Sequence, residues 1–297
     1  MNLRDPRDVF GLDRRAVAQA FDRASASYDA AAALQERVRN ELMGRLADLK
    51  LAPTSILDLG AGTGHATRAL KRRHPDALVV AVDIAAGMLE RAKDQSRWLR
   101  RFERVRADAY TLPFKDGSFD LVFSSLMLQW CDDLDAVYAE IARVLKPGGA
   151  LIFSTFGPDT LLELRESWLA SGAPGNHVNH FFDAPTLGTA LMHAGLAEPV
   201  LDVDRIVMAY DDVLTLMREL KSIGAHNVTR GRARGLTGRR QFAAMTQAYD
   251  TLRRDGKLPA TYEVIHAICW GGEPRSQLDG PRETLISPDA IGRRGRS

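Results

Sequence analysis

The chain has 297 residues, of which 45% are hydrophobic and 26% are charged. These fractions are ordinary for a soluble globular protein, and they exclude the disordered and fibrous classes. The formal net charge is only +2, which excludes a chain that binds nucleic acid through its overall charge. A chain of this length predicts one large domain with an insertion, or one domain with a small cap.

The sequence carries no signal for export, membrane insertion or metal binding. Its N-terminal segment is charged and lacks the apolar centre of a signal peptide. No apolar run approaches the ~20 residues that a membrane span needs. The two cysteines, Cys131 and Cys269, lie far apart and form no CxxC pair. We therefore expect a cytoplasmic protein without a bound metal, which acts neither on nucleic acid nor at a membrane.

Helices and strands alternate over the first half of the chain. Apolar residues at helical spacing predict a helical region over 13–50, and Pro53 ends it. Predicted strands follow at 55–59, 78–82, 102–107, 119–124 and 150–156. Predicted helices separate them at 64–73, 86–94 and 134–145. The apolar strands lack period-two alternation, which predicts an α/β fold whose mostly parallel sheet is covered by helices on both faces.

The pattern is looser after Phe156. It predicts a helix near 185–194, a strand at 200–209, a helical stretch over 211–258 and a last strand at 262–270. Gly, Pro, Arg and Ser are frequent in 271–297, which predicts a mobile tail. The predicted organisation is a helical cap at 1–50, a core of 51–210 with 259–270, a helical insertion at 211–258 and the tail.

A glycine-rich loop follows the first strand and contains Asp58, Gly60, Gly62 and Gly64. Glycine is required where a backbone turns sharply and approaches a ligand. Asp83 ends the next strand, where a carboxylate can accept hydrogen bonds from ribose hydroxyls. Together these features predict a ribose-bearing cofactor, although a tight turn and a helix cap are the structural alternative. Asp58 either orders the loop beside the cofactor or simply holds the turn.

Two further motifs identify the kind of cofactor. They are Arg106–Phe114 (RADAYTLPF), followed by Asp120, and Leu145–Ala150 (LKPGGA). In this order, the motifs over about 13–160 resemble those of class I S-adenosylmethionine (SAM)-dependent methyltransferases. The resemblance implies a Rossmann-like fold with SAM as co-substrate. The loop spacing GxGxG also differs from the GxGxxG of dinucleotide-binding proteins, which disfavours an NAD-dependent oxidoreductase.

The resemblance also implies which residues contact SAM. The glycine loop lies against the methionine part, the acid after the second strand binds the ribose, and the acid after the third reaches the adenine amino group. The matching residues are Gly60, Gly62 and Gly64, then Asp83, then Asp108 with Ala109. Further contacts are expected from Tyr28, Gln35, Asp58, Ile84, Met88 and Ser124.

A narrower resemblance extends to nearly residue 270. Its segments are 17–38, 124–130, 156–161, 180–183, 216–227, 235–239 and 258–264. They are similar to the malonyl-acyl-carrier-protein O-methyltransferases of biotin synthesis. This resemblance implies methyl transfer from SAM to the free carboxylate of a malonyl thioester on acyl carrier protein, which primes synthesis of the pimeloyl precursor.

The acceptor carboxylate is already ionised at neutral pH, so the reaction needs no general base. We therefore expect residues that orient the substrate rather than an acid–base set. The candidates are Tyr28, Gln129, Arg218, Lys221 and His226. Tyr28 has the alternative of a packing residue, and a lone histidine is more often structural. Orientation should supply most of the rate.

The insertion at 211–258 is strongly basic. It contains ten Lys or Arg and five Asp or Glu, a net charge of +5. A basic cap suits an acidic carrier protein, although a solvated helical face would look the same. Two other functions stay open at this point: a small-molecule methyltransferase of the quinone type, and a SAM-binding assembly or modification factor that acts on a protein partner.

Overall fold

A computed structural model gives the architecture, and it describes residues 11–96, 101–174, 177–225 and 238–272. The strands are β1 Ser55–Leu59, β2 Leu78–Asp83, β3 Glu103–Arg106, β4 Phe119–Ser125, β5 Leu145–Phe156, β6 Leu196–Tyr210 and β7 Leu258–Gly271. The helices are α1 Arg14–Ala24, α2 Tyr28–Ala31, α3 Ala33–Asp48, α4 His65–Arg73, α5 Ala86–Gln95, α6 Leu134–Val144, α7 Leu162–Ala170, α8 Ala184–His193, α9 Val213–Ser222 and α10 Arg239–Asp250. Among these described helices, none is long and apolar enough to cross a membrane.

All seven strands form one sheet in the order β3-β2-β1-β4-β5-β7-β6. The first five strands are parallel to one another, whereas β7 is antiparallel to both β5 and β6. This arrangement confirms the predicted α/β fold with a mostly parallel sheet. The strand order reverses beside β1, and in sheets of this kind ligands bind at the carboxyl ends of the strands next to such a reversal.

Two apolar layers bury the sheet, one on each face. Successive side chains of β1 point to opposite faces, so Leu57 and Leu59 join the layer that α6 and α8 cover. Ile56 joins the layer that α3, α4 and α5 cover. Both layers exclude water from the strands, which explains the continuous apolar runs in the sequence.

A third apolar cluster joins the N-terminal helices to the insertion. Leu34 and Val38 of α3, Trp168 of α7, Leu216 of α9 and Tyr249 of α10 are buried together against β6 and β7. The inserted helices therefore pack on the same side chains as the N-terminal helices. This shared cluster holds both segments over one end of the sheet's antiparallel half.

Several predicted boundaries are wrong. The predicted helical region at 13–50 contains three separate helices, α1, α2 and α3, whereas α7 was not predicted. The LKPGGA motif lies inside β5, which therefore begins earlier than predicted, and the pairing with β4 jumps from Leu145 to Ala150 and accommodates the extra residues as a bulge. The stretch at 211–258 contains α9 and α10 and ends in a tight turn. Residues 273–297, predicted as a tail, lie outside the described residues.

Candidate cofactor and substrate site

The glycine loop turns back immediately after β1. Gly60, Gly62 and Gly64 all have positive φ, at 77°, 53° and 82°. The backbone N–H groups of Gly60 and Ala61 both donate to the Val82 carbonyl, at 2.8 and 2.9 Å. A Cβ on Gly60 would lie 2.2 Å from Cγ of Met127. Left-handed backbone and this close approach together require glycine at position 60.

Asp83 ties the loop to the end of β2. Its Oδ2 accepts from the Gly62 N–H at 2.9 Å, and its Oδ1 accepts from the Ala85 N–H at 2.8 Å. Burial raises the pKa of Asp83 to about 6, although these two amides oppose the rise. The carboxylate therefore fixes both the loop and the start of α5.

Asp58 is the second carboxylate at this edge, and it is buried, with only 1% of its surface exposed. The Thr67 hydroxyl donates to its Oδ2 at 2.5 Å. Burial raises the pKa of Asp58 to about 7, and the nearby charge of Asp83 adds to the rise. Burial also raises the pKa of the neighbouring Tyr28 phenol, which stays protonated at neutral pH. A cation placed beside Asp58 would stabilise its ionised form.

A cavity, called the loop cavity below, lies between the glycine loop, the ends of β2 and β3, and α1. The predicted cofactor residues that line it are Tyr28, Gly60, Gly62, Asp83, Ile84, Met88, Asp108 and Ala109. Asp58 and Gln35 line an adjoining recess that shares Tyr28, Gly60 and Gly62 with the loop cavity. The structure thus brings ten of the predicted residues around one continuous space.

Two predicted residues lie outside this lining. Ser124 is fully buried and its hydroxyl donates to the Leu59 carbonyl at 2.8 Å, which joins β4 to β1. The next residue, Ser125, lines the loop cavity instead. Gly64 begins α4, and a Cβ there would lie 2.8 Å from Cβ of Ala92. Its glycine is explained by the packing of α4 against α5.

Helix α1 forms one wall of the loop cavity, which was not predicted from the sequence. Arg14 forms an ion pair with Asp108 at 3.2 Å, and its guanidinium lies 4.6 Å from the ring centre of Tyr110. Phe21 meets Trp130 edge to face, with ring centres 5.2 Å apart. The apolar spacing in this helix predicted only a packing face. Arg14, a charged residue one turn before that face, was the feature that could have indicated a contact with the site.

A larger cavity of about 690 Å³, called the large cavity below, adjoins the loop cavity. Trp130 lines both of them, and Gln35 lines the large cavity as well as the recess beside Asp58. Most of the lining is apolar or aromatic, and two cationic side chains, Arg23 and Lys221, also line it. This space is large enough for an extended acyl group and part of its carrier arm.

The candidate substrate residues differ in their positions. Lys221 lines the large cavity, whereas Arg218 is exposed on α9 and does not line it. Gln129 also lines it, but its amide donates to the Leu126 carbonyl at 2.7 Å and supports the turn after β4. His226 lies outside the described residues.

Unpaired polar atoms face the large cavity. Gln35 Oε1, His177 Nε2 and Asn179 Oδ1 are buried without a hydrogen-bond partner in the structure. The His177 ring stacks on Trp168 with centres 4.0 Å apart and planes 9° apart. Buried polar atoms left unpaired are costly, so a ligand that satisfies them gains affinity.

Comparison with known proteins gives the family. A family model described as a methyltransferase domain matches residues 57–153. A malonyl-[acyl-carrier protein] O-methyltransferase of Laribacter hongkongensis is 47% identical over 289 residues, which cover 94% of this chain and 97% of that protein. One from a Methylovorus species is 46% identical, with 95% and 98% covered. The solved YcgJ protein of Bacillus subtilis superposes with a TM-score of 0.57 at 20% identity, covers 79% of this chain and 99% of its own, and shows the fold alone.

The sheet, the glycine loop and the matched domain define a SAM-dependent methyltransferase with a Rossmann-like fold. More closely, the chain belongs to the malonyl-[acyl-carrier protein] O-methyltransferase family.

We expect Asp58→Asn to stabilise the ligand-free protein at alkaline pH. Folding raises the pKa of this carboxyl from 3.8 to about 7, so its contribution to stability is complete below pH 4 and lost as the pH rises through 7. The variant should therefore be more stable than the wild type at pH 8 by roughly 2 kcal/mol, and similar to it at pH 5. Urea unfolding at both pH values measures this difference.

Asp135→Asn is the control, because Asp135 is an exposed acid on α6. Its unfolding curves should follow those of the wild type at both pH values. If Asp58→Asn lost stability equally at pH 5 and pH 8, burial of the charge would not be the cause.

Proposed function

We propose that this protein transfers the methyl group of SAM to the free carboxylate of a malonyl thioester on acyl carrier protein. The observation that carries the proposal is the junction of two cavities at Trp130. One is lined by the glycine loop and Asp83, and the other by Lys221 and aromatic side chains. The names of the relatives point to the same reaction. The methyl ester produced would prime pimeloyl and biotin synthesis.

The residues around the loop cavity suit SAM. When bound, SAM supplies an activated methyl group on a sulfonium sulfur. Asp58 is a buried carboxylate whose ionised form needs a cation, which the amino group of the methionine part provides. Asp83 lies where ribose hydroxyls can donate to it, and Asp108 lies where it can accept from the adenine amino group. The desolvated carboxylates of Asp58 and Asp83 could thus bind the amino group and the ribose hydroxyls of one SAM molecule.

The acceptor needs orientation more than activation. A malonyl carboxylate is ionised at neutral pH, and methylation of its oxygen removes the charge without any proton transfer. Among the described residues, Lys221 and Arg23 are the cationic side chains that line the large cavity and could hold this carboxylate. Tyr28 keeps its proton and can donate a hydrogen bond into the loop cavity. Held close to the methyl group, the carboxylate reacts as in an intramolecular step.

The basic insertion is the proposed docking surface for the carrier protein. Arg218 and Lys221 on α9 and Arg239 at the start of α10 are all exposed. Exposed cations steer an acidic partner and orient its encounter. We treat α9 and α10 as a cap on the core that receives the carrier, whose flexible arm enters the large cavity.

We propose that methyl transfer takes place in the cytoplasm and requires no metal, nucleic acid or membrane. Two buried free thiols, Cys131 and Cys269, suit a reducing compartment. An acceptor that is already ionised has no need of a metal to generate its nucleophile.

The direct test is methyl transfer from labelled SAM to malonyl-acyl carrier protein, with malonyl-CoA and succinyl-acyl carrier protein in parallel. We expect rapid labelling of the malonyl carrier and release of the label by mild base, because the product is an ester. The succinyl carrier should be labelled at least tenfold more slowly, since its longer chain misplaces the carboxylate. Tight SAM binding without transfer to any malonyl thioester would overturn the proposed acceptor.

Lys221→Ala separates substrate binding from SAM binding. We expect the KM for malonyl-acyl carrier protein to rise roughly tenfold, because a charge-assisted contact is lost, while the KM for SAM stays unchanged. Lys257→Ala is the matched control, since Lys257 is an exposed lysine of the same insertion that pairs with Asp211. Equal effects of the two substitutions would show that Lys221 acts only through the charge of the surface.

A further inference from the structure

Three potential metal ligands meet on the side of the sheet that α3 covers. Glu41 belongs to α3, Asp204 to β6 and His266 to β7. One ligand atom from each lies within 4.8 Å of the other two. His266 Nε2 is 3.6 Å from Asp204 Oδ2 and 3.8 Å from Glu41 Oε2. None of the three lines the loop cavity or the large cavity.

The histidine has no hydrogen-bond partner of its own. His266 is 2% exposed, and neither ring nitrogen makes a hydrogen bond in the structure. Glu41 Oε2 is buried without a partner as well. Unpaired buried polar atoms are costly and rare. Here two of them face each other across a gap too long for a hydrogen bond, which is the arrangement expected of atoms that share a third partner.

The chemistry of the three groups suits a divalent transition metal. The imidazole of His266 offers ring nitrogens and the two acids offer carboxylate oxygens, which are the donor atoms that such metals take. Zinc takes histidine nitrogen and carboxylate oxygen at about 2.0–2.2 Å, which puts tetrahedral ligand atoms roughly 3.3 Å apart. The observed separations from His266 exceed this by only a few tenths of an ångström. The side chains of Glu41 and Asp204 are partly exposed, although the atoms that face the gap, His266 Nε2 and Glu41 Oε2, are buried.

Two arginines bind the carboxylates of this cluster, and one of them would compete with a metal ion. Arg37 donates to Glu41 Oε1 at 2.9 Å, which leaves Oε2 available. Arg45 donates to Asp202 at 2.6 Å and to Asp204 Oδ2 at 3.1 Å. A cation in the gap would take Asp204, and Arg45 would keep its shorter bond to Asp202. Arg45 therefore sets the affinity of the site by competing for one ligand.

We propose that Glu41, Asp204 and His266 form a binding site for a divalent transition metal of the zinc type. The bound cation would fasten α3 to the two strands at the antiparallel edge of the sheet. Gln35 lies less than two turns earlier on the same helix and lines both the large cavity and the recess beside Asp58. The metal is structural and takes no part in methyl transfer.

The test is calorimetric titration of the full, tag-free chain with Zn²⁺ alone, together with thermal unfolding. We expect one Zn²⁺ per chain and a rise in Tm of roughly 5 °C at saturation. Glu41→Gln and Asp204→Asn keep the volume of each side chain and should each weaken Zn²⁺ binding at least tenfold. Asp48→Asn is the matched control, because Asp48 is an exposed acid of α3 outside the triad, and this variant should leave both the stoichiometry and the affinity unchanged.

The arginine variant gives an independent result. Arg45→Gln should tighten Zn²⁺ binding severalfold, since it removes the charge that competes for Asp204. The proposal fails if the wild type binds Zn²⁺ no more tightly than a chain carrying both Glu41→Gln and Asp204→Asn. It fails equally if Asp48→Asn weakens binding as much as the triad variants do.

Discussion

The buried carboxylate of Asp58 and the partly buried carboxylate of Asp83 lie close to the carboxyl ends of neighbouring parallel strands, and the site is built around them. Burial of a charge is expensive unless donors or an opposite charge compensate it. Asp83 receives two backbone N–H groups, from Gly62 and Ala85, so it holds the glycine loop and the start of α5 in one geometry. Asp58 receives the hydroxyl of Thr67 and keeps a raised pKa. In the ligand-free protein, ionisation of Asp58 therefore costs free energy, and a cationic ligand would offset that cost.

The N-terminal helices turn this edge of the sheet into an enclosed space. Asp22 on α1 accepts from the Gly87 N–H at 2.7 Å and so ties α1 to α5. Arg14 and Phe21, from the same helix, contact Asp108 and Trp130 across the cavity. Removal of water from this space strengthens every polar contact within it. Helix α1 is thus part of the site, and the sheet alone would leave it open to solvent.

Much of the fold and of the loop cavity could be predicted because the signals are local. A strand followed by a glycine loop, and acids at the ends of the next two strands, occupy fixed places in any sheet of this kind. Features that depend on exact register were not predicted. Ser124 and Ser125 point to opposite faces of β4, so a shift of one residue exchanges a buried strand contact for a cavity wall.

Contacts between segments far apart in the sequence could not be predicted, for a different reason. Glu41 and His266 are separated by more than two hundred residues, and they meet because the long antiparallel pairing of β6 with β7 carries both strands under α3. Arg14 reaches Asp108 only after α1 folds over the sheet. The periodicity of one helix or strand carries no information about contacts with another, since each element is predicted separately.

The most direct measurement is the number of protons released when SAM binds, from calorimetry at about pH 6.5 in buffers of different ionisation enthalpy. At this pH Asp58 is mostly protonated in the free protein, because burial holds its pKa at about 7. An ammonium group placed beside Asp58 should ionise its carboxyl. We therefore expect release of roughly one proton per SAM bound by the wild type, and almost none by Asp58→Asn. Binding without proton release in the wild type would contradict the claim that the ligand compensates this buried carboxylate.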